Sequence, residues 1–193
     1  FSKSGIQRAI IETGLGGRLD ATRLVNADCC VLTRISLEHT DILGNTLLEI
    51  ATEKSAIARP RAPLVSIWTD DFAVREQITK SASSPTLVRW YKPDLNQKIK
   101  DEAIGLANLV LSSMDLLMTC NDAAKVTLWP GRMQLIQYSK EVEILLDCAH
   151  NPSGMFRAFE EISRYYVGVE TLILGCTKQT NLHLFLQPII TYV

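Results

Sequence analysis

Eleven consecutive residues, Glu12-Thr13-Gly14-Leu15-Gly16-Gly17-Arg18-Leu19-Asp20-Ala21-Thr22, set a carboxylate and three glycines directly after the apolar run Ala9-Ile10-Ile11. Glycine admits backbone conformations and close approaches that a Cβ would block. A carboxylate at a strand end followed by such a loop can hold a cation beside a bound ligand. The same residues also suit a tight strand-to-helix turn with an incidental acid, because short glycine motifs recur without function.

Four further groups carry candidate chemistry. Ser36-Leu37-Glu38-His39-Thr40 directly follows an apolar run, and polar residues at the C-terminal end of a parallel strand sit where open α/β sheets bind ligands. His39 there can ligate a metal through a ring nitrogen or stand as an ordinary loop histidine. Glu53-Lys54 lies inside a helical pattern, where a lysine is commonly a solvated charge. In Leu145-Leu146-Asp147-Cys148-Ala149-His150-Asn151-Pro152, an apolar run ends in an acid, a histidine and an amide before a helix. A helix N-terminus suits an anion, and Asn151 or Ser153 would equally serve as a plain N-cap. Arg132, in Trp129-Pro130-Gly131-Arg132, can offer phosphate a bidentate fork or remain a solvated linker arginine.

The elements that must position these groups follow from periodicity. Residues 7–12 and 29–35 read as near-continuous apolar strands of a covered parallel sheet. Residues 46–58 read as a helix, with Thr46 as N-cap and Glu49 completing a capping box. Strands are expected at 64–68 and 86–90, helices at 71–81 and 101–118, and a polar loop at 92–100. The apolar signal lapses near 119–124. Strands at 133–138, 142–147 and 171–175 and helices at 153–166 and 181–191 follow. Alternating strands and helices predict an α/β fold with parallel sheets, divided into domains at 1–122 and 123–193.

The chain has 193 residues, a formal net charge of −1 and 47% hydrophobic residues. Near-zero charge gives no electrostatic reason to expect nucleic acid or an anionic membrane, and no apolar run approaches the roughly 18 residues that span a bilayer. Five cysteines at 29, 30, 120, 148 and 176 show neither a disulfide framework nor zinc spacing. A reduced, cytoplasmic protein is expected. The first residue is Phe1 rather than Met, so the chain is expected to be part of a longer protein.

Taken together, these strings resemble the folylpolyglutamate synthase/dihydrofolate synthase family of Mur-type ATP-dependent amide ligases. The matching stretches are residues 12–22; Ser36-Leu37-Glu38-His39-Thr40 with Leu43-Gly44-Asn45-Thr46-Leu47; Ile50-Ala51-Thr52-Glu53-Lys54; Trp129-Pro130-Gly131-Arg132; and residues 146–152. They occur in the family's order over nearly the whole chain. The resemblance implies part of a P-loop-type central domain with a parallel sheet, followed by part of a Rossmann-like C-terminal domain. It implies an enzyme that activates a dihydropteroate or folate carboxylate with ATP as an acyl phosphate and then joins it to L-glutamate. Another Mur-type amino-acid ligase and a non-catalytic remnant are the alternatives.

Residue by residue, the resemblance implies that Glu12 and His39 bind magnesium and that Lys54 is a catalytic, metal-binding carbamate. His39 is implied to be catalytic too, and the cofactors implied are ATP and magnesium, with a monovalent cation beside them. Leu19, Asp20 and Ala21 are implied to line the pterin site, and Asn108, Arg132, Asp147 and His150 to contact ATP. The partners implied are small molecules, with no nucleic acid or membrane and a monomeric enzyme. The chain departs from the family pattern at Arg23, Glu38 and Cys148, at Ile104-Gly105 before Asn108, and at Gln179-Thr180-Asn181. It holds no Gly-x-x-x-x-Gly-Lys-[Ser/Thr] string, so these 193 residues alone are expected to lack ligase activity.

Overall fold

The computed structural model describes residues 2–176 and 182–192. The chain divides into two compact units. Unit 1 holds residues 1–93 and 106–118, and unit 2 holds residues 94–105 and 119–193.

Unit 1 is built on a parallel three-stranded sheet in the order β1-β2-β3, formed by Cys30–Leu32, Leu64–Ile67 and Val88–Tyr91. Every residue of the central strand β2 is buried, because its alternate side chains enter two different cores. Leu64 packs with Cys30, Leu32, Ala51, Val74 and Ile78. These come from β1 and from α2 (Leu47–Ser55) and α3 (Phe72–Ser81). Val65 and Ile67 pack with Leu106 of α4 (Ile99–Ser113). A strand covered on both faces reads as a continuous apolar run, which is how residues 64–68 appear in the sequence.

The helices have the expected local chemistry. Thr46 Oγ1 accepts from the Glu49 amide at 3.2 Å, and Glu49 Oε2 accepts from the Thr46 amide at 3.0 Å, completing the capping box of α2. Asp71 caps α3 by accepting from the Val74 amide at 3.1 Å. A one-turn helix α1 (Thr40–Leu43) precedes α2.

Unit 2 contains an antiparallel pair, β4 (Gln134–Gln137) and β5 (Glu143–Leu146). It holds helices α5 (Asn121–Val126), α6 (Pro152–Tyr165) and α7 (Leu182–Tyr192), together with residues 99–105 of α4. Met155 and Phe159 of α6 pack on Phe185 of α7. The expected lapse at 119–124 is largely occupied by α5. The residues Gln179-Thr180-Asn181 lie outside the described residues.

Two expected strands are not formed. Residues 7–12 and 171–175 have no strand structure, and Ile10 and Ile173 are 103% and 91% exposed. Neither run has a ladder partner among the described residues, and an apolar run without one gains nothing from the extended pairing that defines a strand. The sheet of unit 2 is likewise an antiparallel hairpin rather than a parallel one, because β4 and β5 are joined by a short turn. No helix among the described residues is long and apolar enough to cross a membrane. All five cysteines are free. Burial pushes the Cys29 thiol up to about 11, with Cys30 beside it adding to the shift.

Candidate functional site

The glycine loop of unit 1 takes its shape from one carboxylate. Asp20 Oδ2 accepts from the amides of Gly14 and Leu15 at 3.0 and 3.1 Å, and Oδ1 accepts from the amide and hydroxyl of Thr22 at 2.8 and 2.7 Å. Four donors to one carboxylate favour its charged form. The Thr22 hydroxyl and the Thr22, Leu15 and Gly14 amides together hold the Asp20 carboxyl down to about 2. Asp20 also N-caps the 3-10 turn Ala21–Leu24. Leu19 and Ala21, on either side, are exposed.

The loop lies against the C-terminal turn of α2. The Arg18 amide donates to the Glu53 carbonyl at 2.9 Å, and Arg18 Nε donates to Glu53 Oε1 at 2.8 Å. A Cβ on Gly17 would fall 2.7 Å from the Lys54 carbonyl oxygen and 2.8 Å from that of Glu53. Backbone cannot yield at that distance, so Gly17 is required by packing on α2.

Lys54 is half-buried, and its ammonium pairs with Glu38 Oε1 at 2.7 Å. Glu38 precedes His39, whose backbone is left-handed (φ 48°, ψ 41°) and whose carbonyl accepts from the Ile42 and Leu43 amides. The His39 ring and Glu12 are exposed. Among the described residues no three or more His, Cys, Asp or Glu side chains form a group able to hold a metal ion. Glu12 offers carboxylate oxygens of the kind magnesium takes, whereas the imidazole nitrogen of His39 is a less usual ligand for that ion. As an ammonium ion, Lys54 supplies no ligand. Asn108 lies half-buried on α4 within unit 1.

Unit 2 brings three other candidates to one end of its hairpin. The register pairs Gln134 with Leu146, so the residues just outside the ladder, Met133 and Asp147, face each other. Asp147 Oδ2 accepts from the Met133 amide at 2.9 Å, and Oδ1 accepts from the Ala149 amide at 2.8 Å. The carboxylate thereby joins the turn bearing Arg132 to the turn bearing His150. Arg132 is exposed. His150 Nδ1 lies 3.3 Å from the Cys148 carbonyl. Asn151 caps α6 by accepting from the Gly154 amide at 2.7 Å, with Pro152 at the first helical position.

Two groups of polar residues escape sequence reasoning. Arg59, in the chain that follows α2, donates to five backbone carbonyls. Glu161 of α6, only 6% exposed, accepts from the Ile99 amide at 2.7 Å, and Arg157 pairs with Glu102 at 3.2 Å. Three of the Arg59 partners lie 34 to 37 residues away and those of Arg157 and Glu161 lie 55 and 62 away, so no local spacing reveals them. The only signal for Arg59 was its place directly after a predicted helix.

No family model matches the chain. The dihydrofolate synthetase of Saccharomyces cerevisiae is 31% identical over 95% of this chain and 52% of its own length. The structure of E. coli FolC in complex with DHPP and ADP superposes with a TM-score of 0.69 at 24% identity, covering 81% of this chain and 43% of that one. A bifunctional folylpolyglutamate synthase/dihydrofolate synthase with Mn, AMPPNP and L-glutamate bound gives a TM-score of 0.61 at 26% identity. It matches over 79% of this chain and 42% of its own. The chain spans about half the length of the yeast relative. With the ordered motifs and the shared fold, these matches lead to one conclusion: the chain belongs to the folylpolyglutamate synthase/dihydrofolate synthase family.

Proposed function

We propose that the protein carrying this chain is an ATP-dependent amide ligase that joins L-glutamate to the carboxylate of dihydropteroate or a folate through an acyl phosphate. The observation that carries the reading is the glycine loop, folded around Asp20 and packed on the turn of α2 that bears Lys54. Leu19, Asp20 and Ala21 line the pterin side in this reading. Arg132, Asp147, His150 and Asn108 serve ATP. Relatives whose structures hold ADP, or AMPPNP with Mn and L-glutamate, support the choice of ligands.

Glu12 and His39 would each give one ligand to a divalent cation, which when bound neutralises charge on phosphate oxygens. The arginine fork of Arg132 offers paired donors to phosphate. The carboxylate of Asp147 holds the turn from which that fork projects. Lys54 is the catalytic lysine of the reading, as a carbamate. Converting its ammonium to a carbamate would turn the Glu38 pair into two like charges, so the modification requires the two side chains to separate. The domain division at 122/123, a monomeric state and a cytoplasmic location belong to the same proposal.

Glu12→Ala in the whole protein should lower glutamate-dependent ADP release with dihydropteroate by about 100-fold, the scale of removing one preorganised electrostatic group. A wild-type rate would remove Glu12 from the metal site. Turnover of a UDP-linked cell-wall substrate in place of dihydropteroate would redirect the reading to another Mur-type ligase.

A further inference from the structure

We infer that Arg59 is a positioning residue for the 3-10 turn Ala21–Leu24, holding the segment after the glycine loop in place from the end of α2. Nη2 of Arg59 donates to the carbonyls of Arg23 and Thr22 at 2.5 and 3.4 Å, and Nε donates to that of Val25 at 3.0 Å. Nη1 donates to the carbonyls of Ile57 and Ala58 at 2.5 and 3.2 Å. One planar group thus ties two carbonyls of the turn and that of its C-cap Val25 to two of the chain that leaves α2. The guanidinium is suited to this because its donors are fixed in a rigid fork, whereas a lysine offers a point charge on a flexible stem.

The tie reaches the loop through Thr22. The residue whose carbonyl meets Arg59 also gives Asp20 its amide and hydroxyl, and Thr22 Oγ1 lies 3.2 Å from Thr13 Oγ1. Arg59 therefore fixes the turn from outside, while Asp20 fixes the loop from within. Its position matters for the ligase only through the proposed substrate-lining role of Leu19–Ala21, on which that part of the inference rests.

The test uses Arg59→Ala and Arg59→Lys in the whole protein, read by amide exchange and by steady-state kinetics with dihydropteroate. Both variants should raise exchange at the Arg23 and Val25 amides by about ten-fold or more, the scale of losing a hydrogen bond to a charged group, while Val65 in β2 stays protected. KM for dihydropteroate should rise with kcat little changed, and guanidinium ion should restore both readouts in Arg59→Ala. Unchanged exchange at Arg23 and Val25, or a rise spread equally through β2, would overturn the inference. If Arg59→Ala fails to fold, Arg59→Lys decides by the same criteria. A local rise in exchange with unchanged KM would keep the clamp and reject the reading of the turn as substrate-lining.

Discussion

At Asp20 the residue type and its observed work diverge. An aspartate in a glycine-rich loop reads from sequence as a group for a ligand, yet both of its oxygens serve the loop's own donors. Asp20 caps the turn that follows it by accepting from the Thr22 amide, a local arrangement that aspartate favours. The return of Gly14 and Leu15 to the same carboxylate was not legible in the sequence, because it depends on how the loop folds back. The folded carboxyl is held at about 2, below its ordinary 3.8, chiefly by the Thr22 hydroxyl. A group with a depressed folded pKa contributes stability above its unfolded pKa and loses that contribution as pH falls through the folded one. The Asp20 contribution should therefore be complete above about pH 4 and fade toward pH 2. Carboxyl-carbon NMR should give a midpoint near 2, and Thr22→Val should move it up toward the ordinary value. An unmoved midpoint in that variant would show that the hydroxyl is not the main cause.

The elements differ in how far local pattern decides them. Helix α2 was legible at its start because its cap is chemistry within four residues: Thr46 and Glu49 satisfy each other's amides. The amides of Asn45 and Thr46 and the Thr46 hydroxyl draw the Glu49 carboxyl below its usual range, the hydroxyl most. Thr46→Ala should cost about 1 kcal/mol of stability, seen as a lower denaturation midpoint in urea with an unchanged slope. A loss near zero would mean that solvent replaces the cap without penalty. Strands are less legible, since an apolar run becomes a strand only if another strand pairs with it. Residues 64–67 meet partners on both sides, whereas residues 7–12 and 171–175 meet none among the described residues. The same limit applies to Arg18 and Glu53, whose contact spans 35 residues. Composition marks such residues as charged but does not say whom they meet.

Across the whole molecule, the α/β alternation and the parallel sheet of unit 1 were legible, while the course of α4 was not. Residues 94–105 group with unit 2, and polar contacts explain why. Arg164 donates to the Leu95 carbonyl, Tyr165 to that of Asn96, and Glu161 accepts from the Ile99 amide. Residues 106–118 of the same stretch belong to unit 1, where Leu106 packs with Val65 and Ile67. Helical periodicity identifies an apolar face but not which core receives it. Each unit has a core of its own, centred on residues such as Ile78 in one and Phe185 in the other, both 0% exposed. Removing a buried apolar side chain loses its transfer free energy and leaves a cavity, so Ile78→Ala should cost about 2–5 kcal/mol and Phe185→Ala about 3–5 kcal/mol. Native-state amide exchange can separate the two. Ile78→Ala should raise exchange in β1, β2 and α3, and Phe185→Ala should raise it in α6 and α7. If Phe185→Ala left α6 as protected as in the wild type, packing of Phe159 and Met155 on Phe185 would not be what stabilises that helix.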